Sequence, residues 1–313
     1  MTATHTDVPT ARTTLTDSRI ERLSGLSRKR LIEPDEAFTG GIGPGQVLPD
    51  ELLSIAGLDL DLTPEQRATL SREEVASIAA NGVRFEAVLA AGFSLEILRY
   101  QDLTDPRVTY ILHELGEETR HSRLFVRMIE QLAPRARNPI DTRIITAVQN
   151  RILPRLMRRP AFFCVLVLTG EEIPDLYQKL ASEHPDTDPF IREVNRYHRQ
   201  EEARHLNFAR MLLPELWAKA TRFERFQIRH VAPLLLEGMF DMLVHPGVYE
   251  TVGLPGWATW KQVRATPERM ALRHQALRPV ARALVDAGAL RPGRIPKRWQ
   301  HACGIDASGT PLT

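Results

Sequence analysis

The sequence predicts an all-α protein built on a four-helix bundle, with additional helices before and after it. Three observations favour this fold class. Apolar residues recur at steps of three and four through several long segments, no segment shows the alternation of a strand, and a Glu-x-x-His motif occurs twice. Two such motifs on separate helices, each preceded by a helix with a further Glu, are typical of carboxylate-bridged di-iron or di-manganese bundles.

Composition limits the class of protein. The 313 residues are 43% hydrophobic and 26% charged, which suits one substantial core and argues against disorder. The net charge of +2 would not attract nucleic acid or an anionic membrane, so we expect neither as a partner. Cys164 and Cys303 are the only cysteines and offer no disulfide framework, which indicates a reducing, cytoplasmic compartment.

No segment predicts export or membrane insertion. Residues 1–16 are rich in Thr and lack the apolar centre of a signal peptide. The longest apolar run, residues 161–168, is far shorter than the ~20 residues that cross a bilayer. We therefore expect a soluble protein.

The chain is expected to form one domain around a ferritin-like helical core at residues 61–245. Residues 1–60, interrupted by a glycine-rich break at 40–45, are predicted to form an arm that wraps this core. Residues 246–313 are predicted to form a C-terminal helix and a basic tail that belong to the same domain.

The core helices follow from the apolar period. The first is predicted from its cap, Thr63, to about Leu103, and the second from Pro106 to about Leu132. Gly82 lies in the apolar row of the first helix, where it leaves room for a close neighbour.

Prolines punctuate the helices that follow. A helical stretch from near Ile144 is expected to kink or stop at Pro154, and the helix over residues 162–179 should be distorted at Pro174. The fourth core helix is predicted over residues 190–213. Later helical regions are predicted at residues 221–244, with a bend at Pro233, and 267–287, with a loop at 246–255 and an irregular tail from 291.

The strongest functional signal is a run of three ligand-type residues in the fourth core helix. At ~100° per residue, His198, Glu202 and His205 lie at relative angles of roughly 0°, 40° and −20°, so they share one narrow stripe. Glu202 and His205 form one Glu-x-x-His motif. Glu118 and His121 form the other, and no other Glu in the chain is followed three places later by His.

Two further carboxylates should come from the helices that precede the motifs. Glu86 stands 32 residues before Glu118 and Glu171 stands 31 residues before Glu202, so these two are favoured. Glu96 and Glu172 remain alternatives. The neighbours Glu117, Glu201, Arg120 and Arg204 are expected to orient ligands or to lie on the surface rather than bind metal.

The resulting set of three His and four Glu resembles the AurF family of aryl-amine N-oxygenases. The family's His-x-x-x-Glu-x-x-His run is matched by His198, Glu202 and His205. Its earlier Glu-x-x-His is matched by Glu118 and His121, and its isolated third-helix Glu by Glu171. Glu86 is the least firmly aligned position. The resemblance covers roughly residues 70 to 210.

The resemblance implies an O2-dependent non-haem di-iron monooxygenase that oxidises an amine nitrogen of a small-molecule substrate. It implies two iron ions, with manganese as an alternative, held by the seven candidate ligands. We expect an external electron donor or reductase, because no Gly-x-Gly-x-x-Gly fingerprint follows a strand, and we expect a homodimer. Two alternatives remain: a C-hydroxylase or desaturase for a larger terpenoid or acyl substrate, and an iron-storage or metal-sensing bundle.

Overall fold

The computed structural model describes residues 15–312, without the side chains of Leu15, Ile145 and Val148. Over this range the chain is helical and contains no strand beyond one isolated bridge between Ile305 and Pro311, so the all-α prediction is confirmed. The α-helices are α1 (Leu15–Lys29), α2 (Pro34–Ala37), α3 (Pro64–Ile97), α4 (Pro106–Leu132), α5 (Arg143–Met157), α6 (Pro160–Glu183), α7 (Pro189–Lys219), α8 (Arg222–His230), α9 (Ala232–Asp241), α10 (Gly247–Glu250), α11 (Gly256–Ala265), α12 (Pro267–Asp286) and α13 (Lys297–Cys303), with a 3₁₀ turn at Asp50–Leu52.

Helices α3, α4, α6 and α7 form the central bundle as two helical hairpins. The start of α3 follows its sequence signal, because Thr63 and Gln66 form a reciprocal capping box with Pro64 in the first turn. Asp105 caps α4 in a similar way by accepting a hydrogen bond from the Arg107 N–H. The predicted end of the first helix at Leu103 was wrong, since α3 stops at Ile97.

Glycines allow the two hairpins to approach closely. Gly170 on α6 has no space for a Cβ because the Phe85 ring of α3 occupies it. In return, Gly92 on α3 accommodates the ring of Phe163 from α6. Gly82 faces Phe125 of α4, as its place in the apolar row predicted. The hairpins therefore bring α3 and α6 together over the middle of the bundle.

Helices α5, α6 and α7 continue through their internal prolines. Pro154 and Pro174 lie inside α5 and α6, and α7 continues through Pro214 to Lys219, beyond its predicted end at residue 213. The predicted helix at 221–244 is instead two helices separated at Val231, because Pro233 stands in the first turn of α9.

The regions outside the bundle are more helical than predicted. The expected loop at 246–255 contains α10, and α11 and α13 fall in regions for which no helix was predicted. Residues 1–14 of the predicted arm lie outside the described residues, and α1 begins at Leu15. Helix α1 packs against α4 and α7, and its Ile20 and Leu23 join the main hydrophobic core. The proposed division into arm, core and tail stays a prediction.

One described helix, α3, is long and apolar enough to cross a membrane, with a mean hydropathy of 1.2 over 18 residues. Core helices of soluble proteins often meet the same criterion. Helix α3 also buries the carboxyl group of Glu86 and packs along α4, as a core helix does.

Candidate metal centre

The structure brings together all seven side chains that the sequence analysis selected. Each is at most 3% exposed to solvent. Helix α3 contributes one, α4 two, α6 one and α7 three: Glu86, Glu118, His121, Glu171, His198, Glu202 and His205. The alternatives lie elsewhere, since Glu96 pairs with Arg99 and Glu172 pairs with Arg210.

The ligand-type atoms form two groups, and within each group all atoms lie within 4.8 Å of one another. One group contains two imidazoles and the other contains one. The first consists of Glu86, His121, His198 and Glu202, and the second of Glu118, Glu171, Glu202 and His205. Glu202 belongs to both groups, so the two sites adjoin.

Two carboxylates lie between the groups with one oxygen toward each. Glu202 places Oε1 3.0 Å from His121 Nδ1 and Oε2 2.8 Å from His205 Nδ1. Glu118 places Oε2 3.3 Å from His121 Nδ1 and Oε1 3.2 Å from His205 Nδ1. This is the arrangement that bridging carboxylates require.

The donor set fits two divalent cations. Buried carboxylate oxygens normally have hydrogen-bond partners. Here two of the candidate ligands each carry one buried oxygen that has no such partner among the described residues, namely Glu86 Oε2 and Glu171 Oε1. Four ionised carboxylates would also balance the charge of two divalent cations, which a buried cluster of this kind needs.

The first Glu of each Glu-Glu-x-x-His run supports the histidine of the other run. Glu201 lies 3.0 Å from His121 Nε2, and Glu117 lies 2.7 Å from His205 Nε2. Arg204 donates to both carboxylates, at 2.7 Å to Glu117 and 3.3 Å to Glu201. An Nε2–H donated outward leaves the Nδ1 lone pair directed at the centre, which is the usual way proteins orient a metal-binding imidazole.

His198 is oriented in the opposite sense. Its Nδ1 lies 2.9 Å from Gln178 Oε1, so Nε2 points to the centre, 3.3 Å from Glu202 and 3.4 Å from Glu86. Burial and the positive charge of His121 lower the pKa of His198 to about 4, so this imidazole is neutral at neutral pH. A neutral imidazole is the form that binds metal.

The remaining carboxyl groups are strongly perturbed in the metal-free chain. Burial and the neighbouring carboxylates raise the pKa values of Glu86 and Glu171 well above their usual range. Burial opposes ionisation of Glu202 as well, but His205 and His198 nevertheless hold its pKa well below that range. In the metal-free chain Glu86 and Glu171 therefore keep their protons, which cations would displace on binding.

The sequence analysis missed two buried polar residues near the centre. Gln178 orients His198, and Glu114 is fully buried, with no hydrogen-bond partner for either carboxylate oxygen among the residues that the structure describes. Burial raises the pKa of Glu114 to about 8. Glu114 stands one turn before Glu118, as His198 stands before Glu202, and this shared spacing was a signal in the sequence that could have found it.

Two cavities lie on different sides of the candidate metal centre. A cavity of about 1070 Å³ is lined by Glu86, Glu171 and His198, together with apolar residues of α3, α6 and α9. A smaller cavity of about 370 Å³ is lined by Glu114 and shares no lining residue with the first. The large cavity is therefore the one that gives a small molecule access to the candidate ligands.

Comparison with known proteins agrees with this geometry. Residues 15–288 match the family described as P-aminobenzoate N-oxygenase AurF. The chain belongs to the AurF family. Members of this family are di-iron oxygenases, and all seven candidate ligands lie within the matched region. Similar proteins include uncharacterised proteins of Mycobacterium bovis (Mb0909) and Mycobacterium tuberculosis (Rv0885), each 28% identical over 246 residues, which cover 77% of this chain and 71% of the relative.

Proposed function

We propose that this chain is an O2-dependent non-haem di-iron monooxygenase that oxidises an amine nitrogen of a small-molecule or natural-product substrate. One observation carries the proposal: two groups of buried ligand atoms share Glu202 and open onto one large, mainly apolar cavity. Membership of the AurF family supports oxidation at nitrogen. The electron donor is proposed to be a separate protein or small reductant, and the protein is proposed to be a cytoplasmic homodimer.

The seven candidate ligands would hold two iron ions, and iron in such a site supplies the activation of O2. The protein residues supply position and environment. Glu118 and Glu202 lie between the two groups of ligand atoms and would be shared by the ions, while Gln178 and the Glu117–Arg204–Glu201 cluster fix the imidazoles. Glu86, Glu171 and His198 face the cavity, so the reacting atom of the substrate would lie on their side.

One observation favours a second candidate, a C-hydroxylase or desaturase. The cavity of about 1070 Å³ is much larger than a single aromatic ring needs, and its lining is mainly apolar. An acyl or terpenoid substrate would suit such a volume. An iron store is less well supported, because storage requires no enclosed apolar cavity at the ligands.

Product analysis with ¹⁸O2 tests the reaction. Metal-free protein is loaded anaerobically with Fe²⁺, mixed with a reductant and a panel of arylamines, and exposed to ¹⁸O2. We expect about two irons per chain and a product with ¹⁸O on nitrogen by mass spectrometry. A product with ¹⁸O on carbon alone would contradict N-oxidation and support C-hydroxylation. Many irons per chain without any product would instead indicate a store.

A further inference from the structure

The large cavity contains a buried cation. Arg269, on α12, lines the cavity and is only 6% exposed. Its guanidinium lies over the Phe240 ring, 4.4 Å from the centroid, and over Tyr177 at 5.4 Å. It donates to the Tyr177 hydroxyl and, at 3.4 Å, to the Phe240 carbonyl. A guanidinium has five N–H donors, so further donors remain for a ligand.

No carboxylate of the described residues lies within ion-pair distance of Arg269. Its charged neighbours are Glu74 and the cationic Arg273, which act on its charge in opposite directions. Glu74 is held by the Ser54 N–H and hydroxyl, and burial raises its pKa to about 7, so it is only partly ionised at neutral pH. Burial lowers the pKa of Arg269 to about 10, which still leaves it charged.

A buried charge without a counter-ion is costly, and a bound anion would remove that cost. The planar guanidinium favours a carboxylate, which it can bind through two parallel hydrogen bonds. Glu51 and Glu268 also line the cavity, but both are exposed, where solvent screens their charge. Apart from the candidate metal ligands Glu86 and Glu171, the buried charge that lines this cavity is therefore that of Arg269.

Arg269 and the candidate metal centre lie some way apart along one wall of the cavity. Tyr177, which accepts the hydrogen bond from Arg269, follows Glu171 by six residues on α6, which corresponds to about 9 Å along a helix. The cavity lining is mainly apolar and includes Met239, Met242 and Leu180. A ligand that reaches both ends needs an elongated apolar body.

We propose that the substrate of this site is an elongated amphipathic carboxylate, with its carboxylate bound by Arg269 and its reacting end at Glu171 and His198. This inference rests on the proposed function for the reaction, but the binding it describes does not require iron or turnover. Arg269 is thus a substrate-binding residue, and the distance between Arg269 and Glu171 selects substrates by length.

The test compares two fluorescent probes, 11-(dansylamino)undecanoic acid and its uncharged methyl ester, in titrations of the metal-free full-length protein. We expect the acid to bind at least tenfold more tightly than the ester. Arg269→Gln should abolish this difference and leave ester binding unchanged, while Arg269→Lys should keep part of it. The matched control is Arg264→Gln, because Arg264 pairs with Asp241 and does not line the cavity.

Glu74→Gln provides a variant with the opposite expected effect. It removes the negative neighbour of Arg269, so it should tighten binding of the acid without affecting the ester. Equal binding of acid and ester to the wild type would overturn the proposal, and so would an Arg269→Gln variant that weakens both probes by the same factor. A preference for the acid in a protein that yields no N-oxidised product would leave this inference intact and remove only the proposed function.

Discussion

Helices α4 and α7 carry the same five-residue pattern, Glu-Glu-x-Arg-His, and use it in the same way. In each run the second Glu lies between the two groups of ligand atoms, and the first Glu holds the histidine of the other helix. The support is reciprocal, because Glu117 contacts His205 and Glu201 contacts His121. Near the centre, the two hairpins therefore act as two similar halves.

The halves differ one turn earlier. Helix α7 has His198 at the position where α4 has Glu114. His198 points to Glu86 and Glu202 and lines the large cavity. Glu114 makes no hydrogen bond and lines the small one. The candidate ligands are therefore arranged nearly symmetrically around the centre. The third imidazole and the large cavity, through which a small molecule would reach the ligands, lie on the same side of it.

The largest expected effect comes from removing the carboxylate that both halves share. Glu202→Gln should abolish binding of both metal ions, because Glu202 belongs to both groups of ligand atoms. Metal content after anaerobic loading, measured by plasma mass spectrometry, tests this. Glu193→Gln, an exposed position on the same helix, should retain both ions. Retention of one full equivalent by Glu202→Gln would show that the groups do not depend on a common ligand.

The unpartnered Glu114 predicts a pH dependence of stability in the metal-free protein. Burial raises its folded-state pKa from 4.5 to about 8, so its ionisation opposes folding. The stability that neutral Glu114 contributes is fully present below about pH 4.5 and is lost as the pH rises through about 8. Glu114→Gln cannot ionise, so relative to the wild type its free energy of unfolding should increase with pH, by up to about 5 kcal/mol.

Urea denaturation of the metal-free wild type and Glu114→Gln at several values between pH 4.5 and pH 9 measures this difference. Glu193→Gln serves as the exposed control and should follow the wild-type curve. If the free energies of unfolding of Glu114→Gln and the wild type differed by a constant amount across this range, the pKa of Glu114 would be the same in the folded and the unfolded chain. That result would contradict the prediction.

The sequence predicted this group of candidate ligands because helix geometry fixes the spacing within each motif. Residues at i, i+4 and i+7 share a face, which was enough to group His198, Glu202 and His205. The matching spacings of 32 and 31 residues to the following motif then favoured Glu86 and Glu171 over their alternatives, and the structure places both in the cluster. That these residues bind metal stays a proposal.

The sequence could not predict features that depend on how distant segments pack. Arg269 belongs to α12, and only the packing of α12 and α9 on α6 brings it into the cavity near Tyr177. The crosswise support of His121 by Glu201 also depends on two helices meeting. By contrast, α13 was not predicted although the sequence carries signals for it. Pro296 precedes this helix, and Gly304, with a φ of 57°, ends it.

A paired substitution tests whether the two equivalent positions differ in function. His198→Ala should weaken metal binding at least 100-fold, since loss of a ligand should exceed the 10–100-fold typical of losing an outer partner. Glu114→Ala should leave binding of both ions nearly unchanged, because Glu114 belongs to neither group. Anaerobic titration with Fe²⁺ against a competing chelator measures both. Comparable losses in the two variants would identify Glu114 as a ligand and remove the asymmetry.

The smallest expected effect concerns a hydrogen bond that only one half possesses. The Tyr197 hydroxyl donates to Glu201 at 2.9 Å, whereas the equivalent residue on α4, His113, makes no hydrogen bond to Glu117. Tyr197→Phe removes this hydrogen bond and should weaken the interaction that orients His121 by about 1 kcal/mol. The effect should be small because Glu201 keeps its contacts with that imidazole and with Arg204. We expect a several-fold weaker affinity for one of the two ions and no change for the other, since His121 belongs to a single group. An equal loss at both ions would mean that the Tyr197–Glu201 contact supports the whole bundle rather than one imidazole.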